Sequence, residues 1–311
     1  MASVRANVTR FMLRTFLRPW LCAGLLEQQR RRFASLAPRR LPSRLRLESV
    51  SLGAVAGEWV TPANARYDRV IYYLHGGGFI VCSPATHRMI AGNLAQAGDA
   101  RALLIDYRLA PEHPFPASLQ DSLAGYRWLL ASGIRPEHVI VAGDSAGGAL
   151  TLGLLLALRG KGEPLPAAAV CLSPATDAAQ SGASFTARVR DEAFLTQDFC
   201  RQALAMYLGE QDRRTPLASP LYADLHGLPP ILIHVGTHEL LLDDSTRFAD
   251  KARAAGVDVT LKIWDGMWHV FQGFGGVPEA AQSMAEIGAF MKAHFGKVHP
   301  GASRPSGRID L

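Results

Sequence analysis

What this sequence has little of narrows its reading first. Only four cysteines occur, Cys22, Cys82, Cys171 and Cys200, too scattered to form a C-x-x-C pair. Such spacing excludes a disulfide framework and suits small buried thiols of a reducing compartment, so a cytoplasmic location is expected. No apolar run is long enough to cross a bilayer. Residues 1–46 lack lysine altogether and hold one acid, Glu27, against eleven arginines. That segment has a local excess of +10 within a formal net charge of +6, which leaves −4 for residues 47–311. The basic excess thus belongs to the N-terminus alone, and no nucleic-acid partner is expected.

The arginine-rich start needs its own reading. Phe11 to Trp20 mixes apolar residues and arginines near helical spacing. The apolar run Trp20 to Leu26 is broken by Gly24 and followed by Glu27, unlike the uninterrupted apolar region of a secretory leader. The expectation is an amphipathic helix packed over the domain with its arginines in water, and no membrane association.

What is present points to a layered α/β protein. With 48% hydrophobic and 19% charged residues, 311 residues can bury an ample core in one large domain or two ordinary ones. Leu45 to Leu52 alternates apolar and polar residues, and Gly53 and Gly57 punctuate a turn before Glu58 to Val60, a hairpin signal. Apolar strands follow at 70–74, 102–105, 139–142, 168–172, 231–235 and 257–263. Helical stretches lie between them at 86–97, 117–131 and 149–159, then through Ala255 and from Pro278 to Phe295. This alternation fails from Thr176 to about Gly227, where polar residues, prolines and two short helical stretches read as an insertion above the sheet. The tail from Pro300 reads as disordered. Alternating strands and helices predict a mostly parallel sheet covered on both faces, with ligands at the carboxyl ends of the strands.

Chemistry concentrates at two of those strand ends. Gly143-Asp-Ser-Ala-Gly147 joins a β-branched apolar run to a Leu- and Ala-rich helical stretch. A G-x-S-x-G sequence in that context is a nucleophile elbow, with Ser145 lifted above the sheet edge at a helix N-terminus. Gly143 and Gly147 are read as necessary because a Cβ would collide across the turn. His75-Gly-Gly-Gly78 follows the 70–74 strand. Three glycines let backbone N–H groups face a ligand, as an acyl-transfer oxyanion requires. The loop lacks both the lysine of a P-loop and G-x-G-x-x-G spacing. His234 and His238 beside Glu239 form no H-E-x-x-H pattern, so no metal site is expected.

Together these motifs resemble the bacterial hormone-sensitive-lipase-like esterases of the α/β-hydrolase fold. The resemblance rests on His75-Gly-Gly-Gly-Phe79, Gly143 to Gly147, Asp106 to Ala117, Leu172 to Asp177 and Trp268-His-Val-Phe271, and spans roughly residues 45–295. It implies an eight-stranded, mostly parallel sheet flanked by helices, under a helical cap. The cap would combine residues 1–45 with an insertion at about 178–226 of a catalytic domain spanning 46–311. It also implies a triad of Ser145 as nucleophile, His269 as general base and an acid between them in sequence. The family's usual Asp-Pro-Leu-x-Asp stands here as Glu239-Leu-Leu-Leu-Asp243. Matching by position makes Glu239 the acid, with Asp243 one helical turn further on.

By the same resemblance the oxyanion donors are the N–H groups of Gly77, Gly78 and Ala146, with Gly76 undecided. Asp144, Asp106, Arg108, Glu112 and His113 are read as structural. Phe79, Leu204, Met206 and Tyr207 are candidates to line an apolar substrate pocket. The implied activity is cofactor-free hydrolysis of short- to medium-chain acyl esters, the small-molecule ester being the expected partner. An amidase or lactonase using the same triad stays open, as does a non-catalytic ligand-binding protein on this fold. Monomer and homodimer are both open.

Overall fold

Eight strands form one sheet: β1 (Leu45–Leu52), β2 (Val55–Pro62), β3 (Val70–Leu74), β4 (Arg101–Asp106), β5 (Val139–Asp144), β6 (Ala168–Leu172), β7 (Ile231–Gly236) and β8 (Val259–Trp264). The computed structural model that shows them describes residues 2–297; the expected disordered tail lies outside those residues. Strand order is β1-β2-β4-β3-β5-β6-β7-β8, with β2 antiparallel to β1 and β4 and the rest parallel. The expected mostly parallel, helix-flanked sheet of the α/β-hydrolase fold is what the chain adopts.

The strands alternate between two cores because successive side chains point to opposite faces. Val70, Tyr72, Val139 and Val141 join one cluster, with helices Ala117–Ala131, Ala146–Gly160 and Leu242–Ala254. Ile71, Tyr73, Ile140 and Ala142 join the other, under helices Pro84–Gly98 and Pro278–His294. Strands covered on both faces have no polar side to show, hence the unbroken apolar runs of β3 and β6 and of β5 as far as Ala142.

Two local expectations change. The hairpin turns at Gly53 (φ 77°) and Ala54, and β2 starts at Val55, so Gly57 lies inside a strand. Its partners are Val50 on one side and Ile105 on the other. A Cβ at Gly57 would stand 2.6 Å from Leu52 Cδ1 and 2.8 Å from the Leu104 carbonyl oxygen. This glycine therefore serves a close approach inside the sheet, not a turn.

The N-terminal segment also differs in orientation. Helix Val4–Met12 continues through a π turn at Leu13–Leu17 into Arg18–Cys22. Pro19 explains that turn, since its ring clashes with the carbonyl four residues back and loosens the register; the Arg18 N–H reaches Leu13 O. Ala6, Leu13 and Leu21 point inward, Ala6 and Leu13 onto Trp264, Met267, Trp268 and Ala193. Several arginines expected simply in water instead hold backbone carbonyls: Arg14 donates to Arg190 O at the surface, and Arg18 donates to Glu192 O. Arg30 donates to Ile80 O, Ala110 O and Glu112. Val8, Phe11, Met12 and Phe16 face solvent.

Gly57→Ala should therefore destabilise the protein by about 1–3 kcal/mol, the usual cost of overpacking. Urea unfolding followed by circular dichroism measures this, and an unchanged midpoint would refute the close-approach reading.

Candidate active site

One residue makes the turn between β5 and helix Ala146–Gly160. Ser145 sits at φ 55°, ψ −122°, a conformation L-residues seldom adopt, at a cost of about 1–3 kcal/mol. Backbone bonds hold it there. Its N–H donates to Leu172 O at 2.8 Å, and its carbonyl accepts from Gly148, Ala149 and Ala175. A Cβ at Gly143 would strike the Gly147 carbonyl across the turn, as expected from the sequence. A Cβ at Gly147 would instead strike the carbonyls of Leu74 and His75. The second glycine thus lets the His75–Gly78 loop close against the elbow.

That loop turns on Gly77 (φ 109°) and Gly78 (φ 62°). Among the described residues, the N–H groups of Gly77, Gly78 and Ala146 have no acceptor. Gly76 is different: its N–H is taken by Asp144 Oδ1 at 3.0 Å. Asp144 also accepts from Tyr73 Oη at 2.6 Å and faces His87 Nε2 at 3.3 Å. Burial alone would raise the Asp144 carboxyl, but His87, Tyr73 and His75 outweigh it and hold its pKa below the ordinary value. His75, stacked on Tyr107 at 4.1 Å, is pushed down to about 3, chiefly by burial and then by His87. The loop therefore rests on a neutral ring and an ionised carboxylate.

His269 follows β8 in the loop after Trp264. Its Nδ1 stands 3.1 Å from Glu239 Oε2, and both side chains are buried. Facing a carboxylate, Nδ1 must carry the proton, which leaves Nε2 as the free basic nitrogen. Glu239 Oε1 accepts from Ser173 Oγ at 2.9 Å and from Gly236 N. Burial works against the imidazolium, yet the hydrogen bond and charge of Glu239, then Glu192 and Asp144, raise the His269 pKa above its ordinary value. Asp243 does not face this ring. Its Oδ2 accepts from Ser184 N at 2.9 Å, tying helix Leu242–Ala254 to the insertion.

Glu192, which sequence reasoning passed over, lies fully buried in the insertion beside this pair. Its Oε1 accepts from Phe194 N at 2.8 Å and Leu195 N at 3.3 Å, and its Oε2 from Leu240 N at 3.0 Å. Burial raises its pKa and Glu239 adds to the rise, while His269 and the N–H donors oppose it. Three N–H donors are the surroundings that suit an ionised carboxylate. No motif flags Glu192, because its partners are backbone groups brought together by the fold. Ser173 and His87 were likewise invisible as partners of Glu239 and Asp144.

Ser145, Gly77, Gly78 and His269 line one cavity of about 340 Å³, walled by Leu17 and Phe33 of the N-terminal segment and Phe194 and Phe199 of the insertion. A smaller cavity of about 50 Å³ shares Ser145 and Gly78 and continues past Ala146, Phe79 and Leu204. Met206 and Tyr207 line neither: Met206 packs against the core, and the Tyr207 ring stacks behind Phe79 at 3.7 Å. Of the residues read as structural, Arg108 pairs with Asp121 and Glu112 with Arg30. Asp106 ends β4 and His113 lies exposed in the loop that follows, neither lining the Ser145 cavities. His234 bonds Ser283 and His238 contacts Arg10, so the two do not converge.

Replacing Glu192 by glutamine should lower the His269 imidazole pKa, since a negative charge near the imidazolium is lost. Glu192→Asp, which keeps the charge, should restore part of the shift. NMR titration of the His269 ring reads this directly, and an unmoved pKa in the glutamine variant would rule the influence out.

Comparison with known proteins bears on the fold and the family. Residues 71–273 match a family model described as alpha/beta hydrolase fold. An acetyl-hydrolase of Streptomyces hygroscopicus is 44% identical over 250 residues, 80% of this chain and 83% of that protein. An esterase of Acinetobacter venetianus is 37% identical over 79% of this chain and 82% of its own. The crystal structure of an esterase from the bacterial hormone-sensitive lipase family superposes with a TM-score of 0.90 at 43% identity, covering 95% of this chain and all of that one. The chain belongs to the hormone-sensitive-lipase family of α/β hydrolases and is a carboxylic ester hydrolase.

Proposed function

We propose that this enzyme hydrolyses short- to medium-chain acyl esters through a Ser145–His269–Glu239 triad and an acyl-enzyme. The observation that carries the reading is the buried His269–Glu239 pair at 3.1 Å, whose ring lines the same cavity as Ser145. Ser145 Oγ attacks the ester carbonyl while its proton passes to His269 Nε2. Charge developing on the carbonyl oxygen is met by the N–H groups of Gly77, Gly78 and Ala146. The alcohol leaves with the proton from Nε2, and a water activated by the same nitrogen releases the acid. No cofactor enters this scheme.

Glu239 keeps Nδ1 protonated and stabilises the imidazolium without taking its proton. Ser173 and Gly236 keep the carboxylate turned toward the ring. Of the two cavities, the one of about 50 Å³ suits a short acyl group and the one of about 340 Å³ the larger part of the ester. Phe79 and Leu204 border the smaller. Met206 and Tyr207 act at most through Phe79 in this reading. The cap would be residues 1–45 with the insertion at about 178–226, and four free cysteines support a cytoplasmic enzyme. Among the described residues no helix is long and apolar enough to cross a membrane.

Ser145→Ala should stay folded and lose about 10⁶-fold in kcat, the scale of a lost serine nucleophile. Mass spectrometry after organophosphate treatment should place the adduct on Ser145; an adduct elsewhere refutes the assignment. Glu239→Gln should cost about 10⁴-fold in kcat by holding the wrong imidazole tautomer, whereas Asp243→Asn, which only weakens the Ser184 contact, should cost far less. The reverse ranking on one p-nitrophenyl ester would move the acid to Asp243. Because His269 must be neutral to act as base, kcat/KM should fall as pH drops through a pKa above the ordinary value of about 6.5.

A further inference from the structure

Large apolar side chains left in water are concentrated in one place. Among the described residues twelve are exposed, and eight of them lie between Val4 and Leu36. Val4, Val8, Phe11 and Met12 recur at i, i+4, i+7 and i+8, the spacing of one helix face. Ala6 and Leu13, on the opposite face, are buried. Phe16 follows the stripe across the π turn, and Trp20 and Leu25 are exposed beyond it. Exposed Arg5 and Arg14 flank the stripe on its two sides, and Arg14 keeps its positive charge while donating to Arg190 O. The one acid of residues 1–46, Glu27, is engaged by Arg31 at 3.9 Å.

A helix with a buried face needs no second apolar face, so this stripe asks for an occupant. Its borders are basic and its centre aromatic and aliphatic, the pattern of a helix lying in the plane of a lipid interface. A second copy fits poorly, because packing two arginine-flanked stripes together opposes like charges. An anionic membrane leaflet matches both features, with lipid headgroups meeting the arginines and acyl chains covering the stripe. Leu17, in the same helical run, lines the cavity of Ser145.

We propose that the N-terminal segment, residues 4–25, whose helical run ends at Cys22, docks the enzyme peripherally on an anionic lipid surface through this stripe. The proposal revises the expectation of no membrane association and does not depend on which ester is cleaved. It is distinct from membrane spanning, since the run stays on the surface.

The test uses the full chain with phosphatidylcholine vesicles, with and without phosphatidylglycerol. Co-sedimentation should occur with the mixed vesicles, weaken as salt is raised, and be slight with pure phosphatidylcholine. Phe11→Ser with Phe16→Ser should lower partitioning by about tenfold or more, and Arg5→Glu should lower both binding and its salt dependence. Hydrolysis of a soluble short-chain ester should be unchanged in all three substitutions. Absence of vesicle binding, or binding indifferent to lipid charge, overturns the proposal. So does a concentration-dependent dimer in light scattering that the Phe11 and Phe16 substitutions abolish while vesicle binding persists.

Discussion

The backbone of Ser145 sets the terms for much of its surroundings. Left-handed φ at a residue with a side chain costs free energy, and a loop free to relax would abandon it. Here relaxation is blocked from three sides. The serine N–H is bonded to the end of β6, its carbonyl is shared by the first turn of helix Ala146–Gly160 and by Ala175, and the loop after β3 closes on Gly147. Each constraint has a second consequence. Bonding to β6 brings Ser173, next in sequence, into place to hold both Glu239 and the N–H of Val270. Closure on Gly147 brings the free N–H groups of Gly77 and Gly78 beside the serine. The strained turn and the surrounding donors are one construction.

Charge is the second constraint, because three carboxylates are buried around one imidazole. Asp144, Glu239 and Glu192 are each nearly or fully excluded from water, and an unpaired buried charge is costly. Each is met by donors of fixed geometry: Gly76 N and Tyr73 for Asp144, Gly236 N and Ser173 for Glu239, three backbone N–H groups for Glu192. Such donors leave little for the carboxylates to gain by turning elsewhere. Their combined field favours the imidazolium, so His269 becomes a stronger base than a free histidine despite its burial. Glu192 belongs to the insertion, so that segment shapes the field at His269 as well as walling the cavity.

Most of this architecture was legible in the sequence where one physical rule dominates locally. Doubly covered strands must be apolar throughout, and β3, β5 and β6 were read at or near their bounds. Ala117–Ala131 was read to the residue, and the elbow announced itself by its glycines. Legibility failed where a residue's reason lies in a distant partner. Gly57 looks like turn punctuation, yet its cause is the Leu104 carbonyl on a strand nearly fifty residues away. Glu192 looks like one more surface acid, and only the approach of Leu240 makes it otherwise. Tyr207 carried the pattern of a pocket residue, but Phe79 stands between it and the small cavity.

The N-terminal arginines show the same limit from the other direction. Their number suggests a charged outer face, and several instead act as hydrogen-bond donors to loop carbonyls. Arg30 satisfies Ile80 O, Ala110 O and Glu112 together, a task that suits a planar fork of donors and not a single ammonium. Arg14 and Arg18 cap carbonyls at 190 and 192, on the loop that carries the Glu192 side chain beneath. At Arg30 this pattern of donors favours arginine over lysine. The outward apolar stripe has a related cause: one flank of the helical run is spent on carbonyls, Ala6 and Leu13 occupy the inner face, and Phe11 and Phe16 are left the side that faces solvent. The helix that helps wall the cavity is therefore also the one whose outer surface is free to meet something else.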